Sequence, residues 1–483
     1  MKLSILHTND LHGHLENWPY IEQYLISMRQ SLINRGQACL IMDVGDACDA
    51  THPLVEATQG QIMTEVFNRV GYDYVTVGNN EGLGFSPKQV QDIYSTAHHQ
   101  VLLANILDQS SHTQPSWAKA YAVERFENGM EVAIIGLTAP YASYERNGYL
   151  AIEAEICLEQ QLNLIMTESH PDLIIILSHL GYDVDQSLAQ RFPQVDLILG
   201  AHTHHLLPQG QQVNESILAA AGKYGHYVGW IEVDLNPHGS MLANYQEQPG
   251  CYILKDKMIT CRVESIAEIC DKMRLPVIED TYADLGKAAL RQQIIANLPH
   301  DLTVRSNDPS TSLVKVTLAA MREETGCDIA FINTGLFLND LPQGKVSQKE
   351  LHETLPHPMH LITLSLRGNH LLRLLAEIDQ QRESLMNKAI SGMGFRGKIF
   401  GQIVFDGLDY DSMTQTWTYQ GADIDPQAQY RLVSVDHLWF LSYFPSIGRW
   451  GQPCLHFPDF IRHCLGKYLQ RHYPLSTIET IKE

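Results

Sequence analysis

Five short segments of this chain carry side chains able to hold a cation. They are His7-Thr8-Asn9-Asp10-Leu11-His12-Gly13, Asp43-Val44-Gly45-Asp46, Gly78-Asn79-Asn80-Glu81, Ser178-His179-Leu180-Gly181 and Gly200-Ala201-His202-Thr203-His204. Asp10 and His12 stand two apart, so a curling loop can turn both toward one ion. Asp46 follows a flexible glycine. Each motif alone is weak, because an isolated His-x-His is commonly a solvated pair and Asn in a Gly-Asn-Asn turn commonly serves the backbone. Five of them, each following an apolar β-rich run, form a joint pattern. Imidazole, carboxylate and amide oxygen suit zinc, manganese, iron or cobalt, with magnesium admissible but less natural for imidazole. Two such ions, ~3.5–4 Å apart, can share one carboxylate and one hydroxide. Seven ligands with a shared aspartate would fill two such sites and leave positions open for substrate.

The runs before these motifs read as strands: Leu3–Leu6, Cys39–Asp43, Tyr74–Val77, Leu173–Leu177 and Leu197–Leu199, with Val101–Ala104 and Glu131–Leu137 beside them. Several are apolar throughout, as strands covered on both faces must be. Helical patterns such as Trp18–Arg35 and Gly60–Val70 lie between them. This alternation predicts a layered α/β domain over residues 1–245. A charged helical pattern from Asp256 to Arg274, ended by Pro276, reads as a linker helix within 246–278. An α+β domain then occupies 279–483. Its helices fall near Ser312–Thr325 and His370–Gln381, and its strands near Ile329–Ile332, His360–Leu366, Gly401–Phe405 and Tyr430–Val435. The tail from Arg462 to Lys482 reads as an exposed terminal helix.

The 483 residues, 44% of them hydrophobic, suffice for two or three packed cores. A formal charge of -21 argues against a surface that coats nucleic acid polymers or an anionic membrane. No run approaches the ~20 apolar residues of a membrane span. The first apolar piece, Leu3 to Leu6, is too short for a secretory signal. Nine cysteines, with no Cys-x-x-Cys pair, suggest neither a disulfide framework nor a cysteine zinc site. The expected compartment is a reduced cytoplasm, and the number of subunits is left open.

With the five motifs assembled, the chain resembles the 5′-nucleotidase branch of the calcineurin-like metallophosphoesterases. Ile5-Leu6-His7-Thr8-Asn9-Asp10-Leu11-His12-Gly13 looks like that branch's N-terminal signature. Asn333-Thr334-Gly335 and the segment from Lys345 to Thr354 look like its C-terminal substrate domain. The resemblance implies a four-layer αββα catalytic domain, a linker helix, and an α+β domain that closes over a small phosphate compound, a nucleotide by family habit. It implies Asp10, His12 and His204 on one ion, Asn79, His179 and His202 on the other, and Asp46 bridging. The implied chemistry is in-line attack of metal-held hydroxide on phosphorus, in the service of nucleotide breakdown.

The chain departs from the family pattern in three places. Where the family reads Gly-Asn-His-Glu-Phe-Asp, this chain reads Gly78-Asn79-Asn80-Glu81-Gly82-Leu83, as a group of cytosolic bacterial members does. Asn80 takes the seat of the catalytic histidine, and Leu83 that of its orienting aspartate. An amide donates a hydrogen bond but cannot yield a proton, and losing a general acid costs ~10²–10⁴ in rate. The cost is smallest for good leaving groups, so phosphoanhydrides or activated esters become the expected substrates. Second, Leu338 stands where the family places a phosphate-binding arginine. Arg396, between Gly394 and Gly397, is the candidate substitute, with a solvated turn as the equal alternative. Third, in place of a glycine-rich substrate loop stands Asp436-His437-Leu438-Trp439-Phe440. Phe440 could stack on a base, although a core aromatic is the commoner meaning. Asn333, Gly335, Arg396 and Phe440 are thus the candidate substrate contacts, while His357 and His360 read as structural. The sequence leaves monophosphatase, cyclic phosphodiesterase and pyrophosphatase open. It also leaves a second class open: a metal- and nucleotide-binding sensor with little turnover.

Overall fold

In this computed structural model the described residues are 1–235, 237, 248–273, 281–390, 394–411 and 413–475. Pro276 and Arg274, and the tail beyond Leu475, lie outside them. The chain divides into two compact units, Met1–Gly286 and Lys287–Glu483.

The first unit is built on two sheets. One has seven strands, in the order Cys251–Leu254, Lys257–Ser265, Tyr227–Asp234, Lys2–Thr8, Ala38–Asp43, Tyr74–Val75 and Gln100–Val101. The other has six, in the order Gln211–Val213, Ser216–Ala219, Leu197–Gly200, Leu173–His179, Glu131–Thr138 and Tyr121–Arg125. Strict alternation decides how they pack. Leu173, Ile175 and Leu177 join Leu3, Ile5, Leu40 and Met42 in a core between the sheets. Their neighbours Ile174 and Ile176 point the other way, into a second core with Leu158, Leu162 and Leu188 from the helices Ala154–Glu168 and Tyr182–Arg191. Both faces of these strands are therefore buried, as their continuous apolar runs require. The helix Trp18–Asn34 packs along the Ala38–Asp43 strand, with Trp18 fully buried. Pro19 fits its first turn, where no intrahelical N–H partner is lost. The result is the expected helix–sheet–sheet–helix layering.

The strands Lys2–Thr8, Ala38–Asp43 and Tyr74–Val75 run parallel, as do Glu131–Thr138, Leu173–His179 and Leu197–Gly200. Parallel strands bring their C-terminal ends to one edge of a sheet, the usual place for ligand chemistry in such folds. All five motifs lie at such ends.

The second unit has a five-stranded sheet, ordered Ile403–Asp406, Ile329–Asn333, Gln429–Val435, His360–Arg367 and Cys454–Phe460. The helices Leu313–Thr325, Gly368–Met386 and Ile461–His472 bury Leu318, Leu371 and Leu465 against it.

Two expectations are corrected. Residues 257–265 form a strand, and only Ile266–Met273 is helical. Ile259, Cys261 and Val263 alternate with Thr260, Arg262 and Glu264, a period of two that the charged helical reading passed over. This strand pairs with Tyr227–Asp234 and carries the first sheet into the segment read as linker. The terminal helix is not an exposed appendage either, since Arg462, Cys464, Leu465 and Leu469 are buried.

A tight approach ties the first strand to the site. His7, fully buried, faces Gly229 in the antiparallel pair, and a Cβ on Gly229 would fall 1.9 Å from its Nε2. Burial holds the His7 imidazole down at about 4, so it packs as a neutral ring. Gly229→Ala is expected to cost ~1–3 kcal/mol through overpacking, measured as a lower urea midpoint of the first unit.

Candidate metal centre

The motif loops are held to one another by backbone bonds. Asp10 N–H donates to the Gly45 carbonyl at 3.0 Å, His12 N–H to Asp46 at 2.8 Å, and Gly13 N–H to Ala47 at 2.8 Å. The Glu81 carboxylate gathers the next two loops by accepting from the N–H groups of Cys48, Asp46 and Gly78 at 2.6, 3.1 and 2.9 Å. Burial first, then the Asp46 charge, raises its pKa. Asn9 locks a further junction: its amide donates to Asp10 Oδ2 and the Gly222 carbonyl and accepts from Ala221 N–H.

Two groups of candidate ligands result, Asp10 with His12 and His204, and Asp46 with His179 and His202. Within the first, His12 Nε2 lies 3.0 Å from His204 Nε2, and Asp10 Oδ1 lies 3.6 Å from His204 Nε2. Asp46 Oδ2 stands between the groups, 3.7 Å from His12 Nε2 and 3.3 Å from His179 Nε2. Asn79 Nδ2 donates to Asn80 Oδ1 at 3.1 Å, and Asn80 Nδ2 lies 3.0 Å from His12 Nδ1.

Backbone strain is concentrated here. Asp10, His12, Asp46, His202 and His204 all have φ between 49° and 72°, in the left-handed region. That conformation costs an L-residue ~1–2 kcal/mol each, so five of the seven candidate ligands sit in strained backbone, which clusters at functional sites.

The donor set fits divalent cations on two further observations. Asn79 Oδ1 is buried and takes no hydrogen bond, a state that native proteins rarely leave uncompensated, and His179 Nε2 is buried 3.3 Å from Asp46 Oδ2. His179 Nδ1 meets the Val44 carbonyl at 2.8 Å, which commits its proton there and leaves Nε2 as the open nitrogen. Burial, then the nearby His179 charge, pushes the His202 imidazole down to about 4. Burial, then His12, does the same for His204. Both rings are neutral near pH 7, with lone pairs available.

Two neighbours had no signal in the sequence. Tyr141 brings its hydroxyl to 2.9 Å from His202 Nε2, and Tyr224 sets its ring edge-on to His12 with centroids 5.7 Å apart. Neither lies in a metal-ligand motif.

The candidate substrate residues of the second unit separate into two sets. Gly335 and Arg396 line a cavity of about 780 Å³, together with Arg305, Lys315 and Lys398, and among the described residues no acidic one lines it. Asn333 does not line it. It is fully buried, and its amide donates to the Phe400 carbonyl at 2.9 Å. Phe440 is half-exposed, outside this cavity, and stacks on Trp439. Sequence reading missed Arg305, Lys315 and Lys398, whose separation along the chain hides their convergence. His357 and His360 are buried, with His357 Nε2 on the Leu336 carbonyl.

Residues 3–206 match the calcineurin-like phosphoesterase family, and residues 294–440 match the 5′-nucleotidase C-terminal domain. A Bacillus subtilis protein described as uncharacterized metallophosphoesterase YunD is 31% identical over 480 residues, covering 96% of this chain and 98% of the relative. Human 5′-nucleotidase is 23% identical over 323 residues, covering 59% of this chain and 55% of its own. A putative 5′-nucleotidase from Staphylococcus aureus shares the fold, with a TM-score of 0.64 at 16% identity over 99% of this chain and 98% of that one. The Haemophilus influenzae NAD nucleotidase superposes with a TM-score of 0.63 at 16% identity, covering 98% and 97%. The chain belongs to the calcineurin-like metallophosphoesterases that carry a 5′-nucleotidase C-terminal domain. It is a phosphohydrolase of a family that works with divalent metals.

The His179–Asp46 pair sets a pH dependence for cation binding. Burial opposes charge on His179, but Asp46 and then Asp10 outweigh it and hold the metal-free imidazole up at about 10. Burial likewise opposes charge on Asp46, and His179 overrides it, holding the carboxyl below its usual range. A cation bound at Nε2 would displace the proton that Asp46 and Asp10 favour there. Apparent manganese affinity is expected to rise up to about tenfold per pH unit from pH 6 to 9, by titration calorimetry in two buffers of different ionisation enthalpy. A flat profile would remove His179 from the ligand set.

Proposed function

We propose that this protein hydrolyses a phosphate ester or anhydride of a nucleotide at a two-cation centre. Asp10, His12 and His204 would hold one ion, Asn79, His179 and His202 would hold the other, and Asp46 would serve both. The observation that carries this reading is the pair of candidate ligand groups meeting at Asp46, beside a buried Asn79 Oδ1 that no described protein group satisfies. When bound, divalent ions supply an activated water and neutralise charge on the phosphoryl oxygens. The chain's own residues do the remaining work. Glu81 and Asn9 fix the loops, His179 commits its Nδ1 proton to Val44, and five of the candidate ligands sit in left-handed backbone.

The cationic cavity in the second unit supports a nucleotide or another phosphate compound as substrate. Arg305, Lys315, Arg396 and Lys398 converge there in a chain of net charge -21. Guanidinium groups bind phosphate in a bidentate fork, so Arg396 and Arg305 take the role that Leu338 cannot. The binding-only alternative gains no supporting observation. For the compartment, nine free cysteines favour a reduced cytoplasm. Among the described residues, no helix is long and apolar enough to cross a membrane.

Purified protein with manganese is expected to release phosphate from nucleotides and aryl phosphates, and Asp46→Asn to be inert. Equal inertness of both proteins on every substrate would count against hydrolysis. Arg396→Ala and Arg305→Ala are each expected to raise KM about tenfold or more, the loss of one charged hydrogen bond. The rate should also fall with rising leaving-group pKa, because no imidazole stands where Asn80 does. Equal rates on an aryl and an alkyl phosphate would refute that dependence.

A further inference from the structure

Two loops of the second unit form one wall of the cationic cavity, and a single side chain ties them together where Arg396 stands. One loop, Thr334 to Leu336, follows the strand Ile329–Asn333, and the segment from Gly394 to Gln402 lies against it. At the far end the two bond directly. Gly335 N–H donates to the Phe400 carbonyl at 3.0 Å, and Gln402 N–H donates to Thr334 Oγ1 at 3.0 Å. The fit is close, since a Cβ on Gly335 would fall 1.9 Å from the Ile399 carbonyl oxygen. At the Arg396 end the link is His357. Its Nδ1 lies 2.9 Å from the main-chain nitrogen of Arg396, and its Nε2 lies 2.7 Å from the Leu336 carbonyl.

The direction of both bonds is fixed by their partners. A main-chain N–H donates, so Nδ1 accepts from Arg396, and the ring proton sits on Nε2 and goes to the Leu336 carbonyl. Both nitrogens of a fully buried imidazole are thus spent on the two loops. Burial chiefly holds this ring down at about 4, so near pH 7 it is neutral and keeps its acceptor. The ring is itself held still. Pro356 and Pro358 flank it in the chain, and the fully buried Arg462 donates to the His357 carbonyl at 3.1 Å. Phe395, the residue before Arg396, stacks on the imidazole with centroids 5.3 Å and planes 7° apart. His437 also stacks on Phe395, at 5.3 Å and 13°.

We propose that His357 is a positioning residue for Arg396, fixing the main chain from which its guanidinium reaches the substrate phosphate. Arg396 stands between Gly394 and Gly397, residues that impose little on the path of the backbone. His357 supplies the missing constraint by joining the Arg396 N–H to the loop that carries Gly335. A binding group held before its ligand arrives loses less conformational freedom on binding, so the link acts on affinity. The inference rests on the reading above that Arg396 binds phosphate.

The test measures KM and kcat for phosphate release from ADP by the full chain with manganese, and pyrophosphate affinity by calorimetry. The variants are Arg396→Ala, His357→Phe, His357→Asn, and Arg396→Ala combined with His357→Phe. His357→Phe keeps a flat ring for Phe395 but loses both bonds. Its KM should rise about 3–10-fold with kcat within about twofold, and pyrophosphate affinity should fall by a similar factor. His357→Asn, whose Oδ1 can take the place of Nδ1, should lie nearer wild type; the reverse order overturns the proposal. On the Arg396→Ala background the further loss should be under about twofold, because no guanidinium remains to be aimed. Wild-type KM and affinity in His357→Phe overturn the assignment, as does an equal loss on both backgrounds. If Arg396→Ala itself changes neither quantity, the phosphate reading of the cavity has failed, and this inference with it. Histidine ¹⁵N spectra of wild type, which need no variant, should show His357 as the Nε2–H tautomer. A proton on Nδ1 overturns the proposal.

Discussion

The site depends on where one carboxylate can sit. Asp46 is fully buried, faces imidazoles from loops of both sheets, and has its backbone N–H fixed by Glu81. Burial alone would neutralise its carboxyl, and the positive His179 beside it keeps it charged. A buried charge of this kind survives only with partners placed on every side. The loop pairing, the left-handed backbone and the Glu81 brace supply that placement.

The two sheets share this work unequally. Asp10, His12, Asp46 and Asn79 come from loops of the seven-stranded sheet, and His179, His202 and His204 from the six-stranded one. Neither sheet holds a full set. Because the strands feeding the site run parallel within each sheet, their ends align without a long excursion of chain. The alternation of Leu173, Ile175 and Leu177 with Ile174 and Ile176 then sets the orientation of the second sheet.

Much of this was legible in the sequence. Apolar runs ending in Asp, Asn and His could be placed on strand ends because strand periodicity is local. The seven candidate ligands could be named because their motifs are short and keep their order. What escaped was non-local or ambiguous in period. Residues 257–265 carry enough charge to imitate a helix surface, although Ile259, Cys261 and Val263 keep strand alternation. Arg305, Lys315 and Lys398 meet only because the second unit's sheet and loops bring them to one cavity. Asn333 sits in a family motif, yet its amide is spent on the Phe400 carbonyl, a bond that no motif announces. Tyr141 reaches His202 across 61 residues of sequence.

The division of ligands between two sheets makes the hydrophobic layer between them a calibrated spacer. Its thickness, set by side chains such as Val132, Ile134 and Ile175, fixes the span between the Asp46 loop and the His179 loop. A methyl group added or removed there alters the spacing between the two candidate ligand groups, without touching any polar atom of the site. Variation in these apolar residues therefore reaches the candidate metal centre through packing alone.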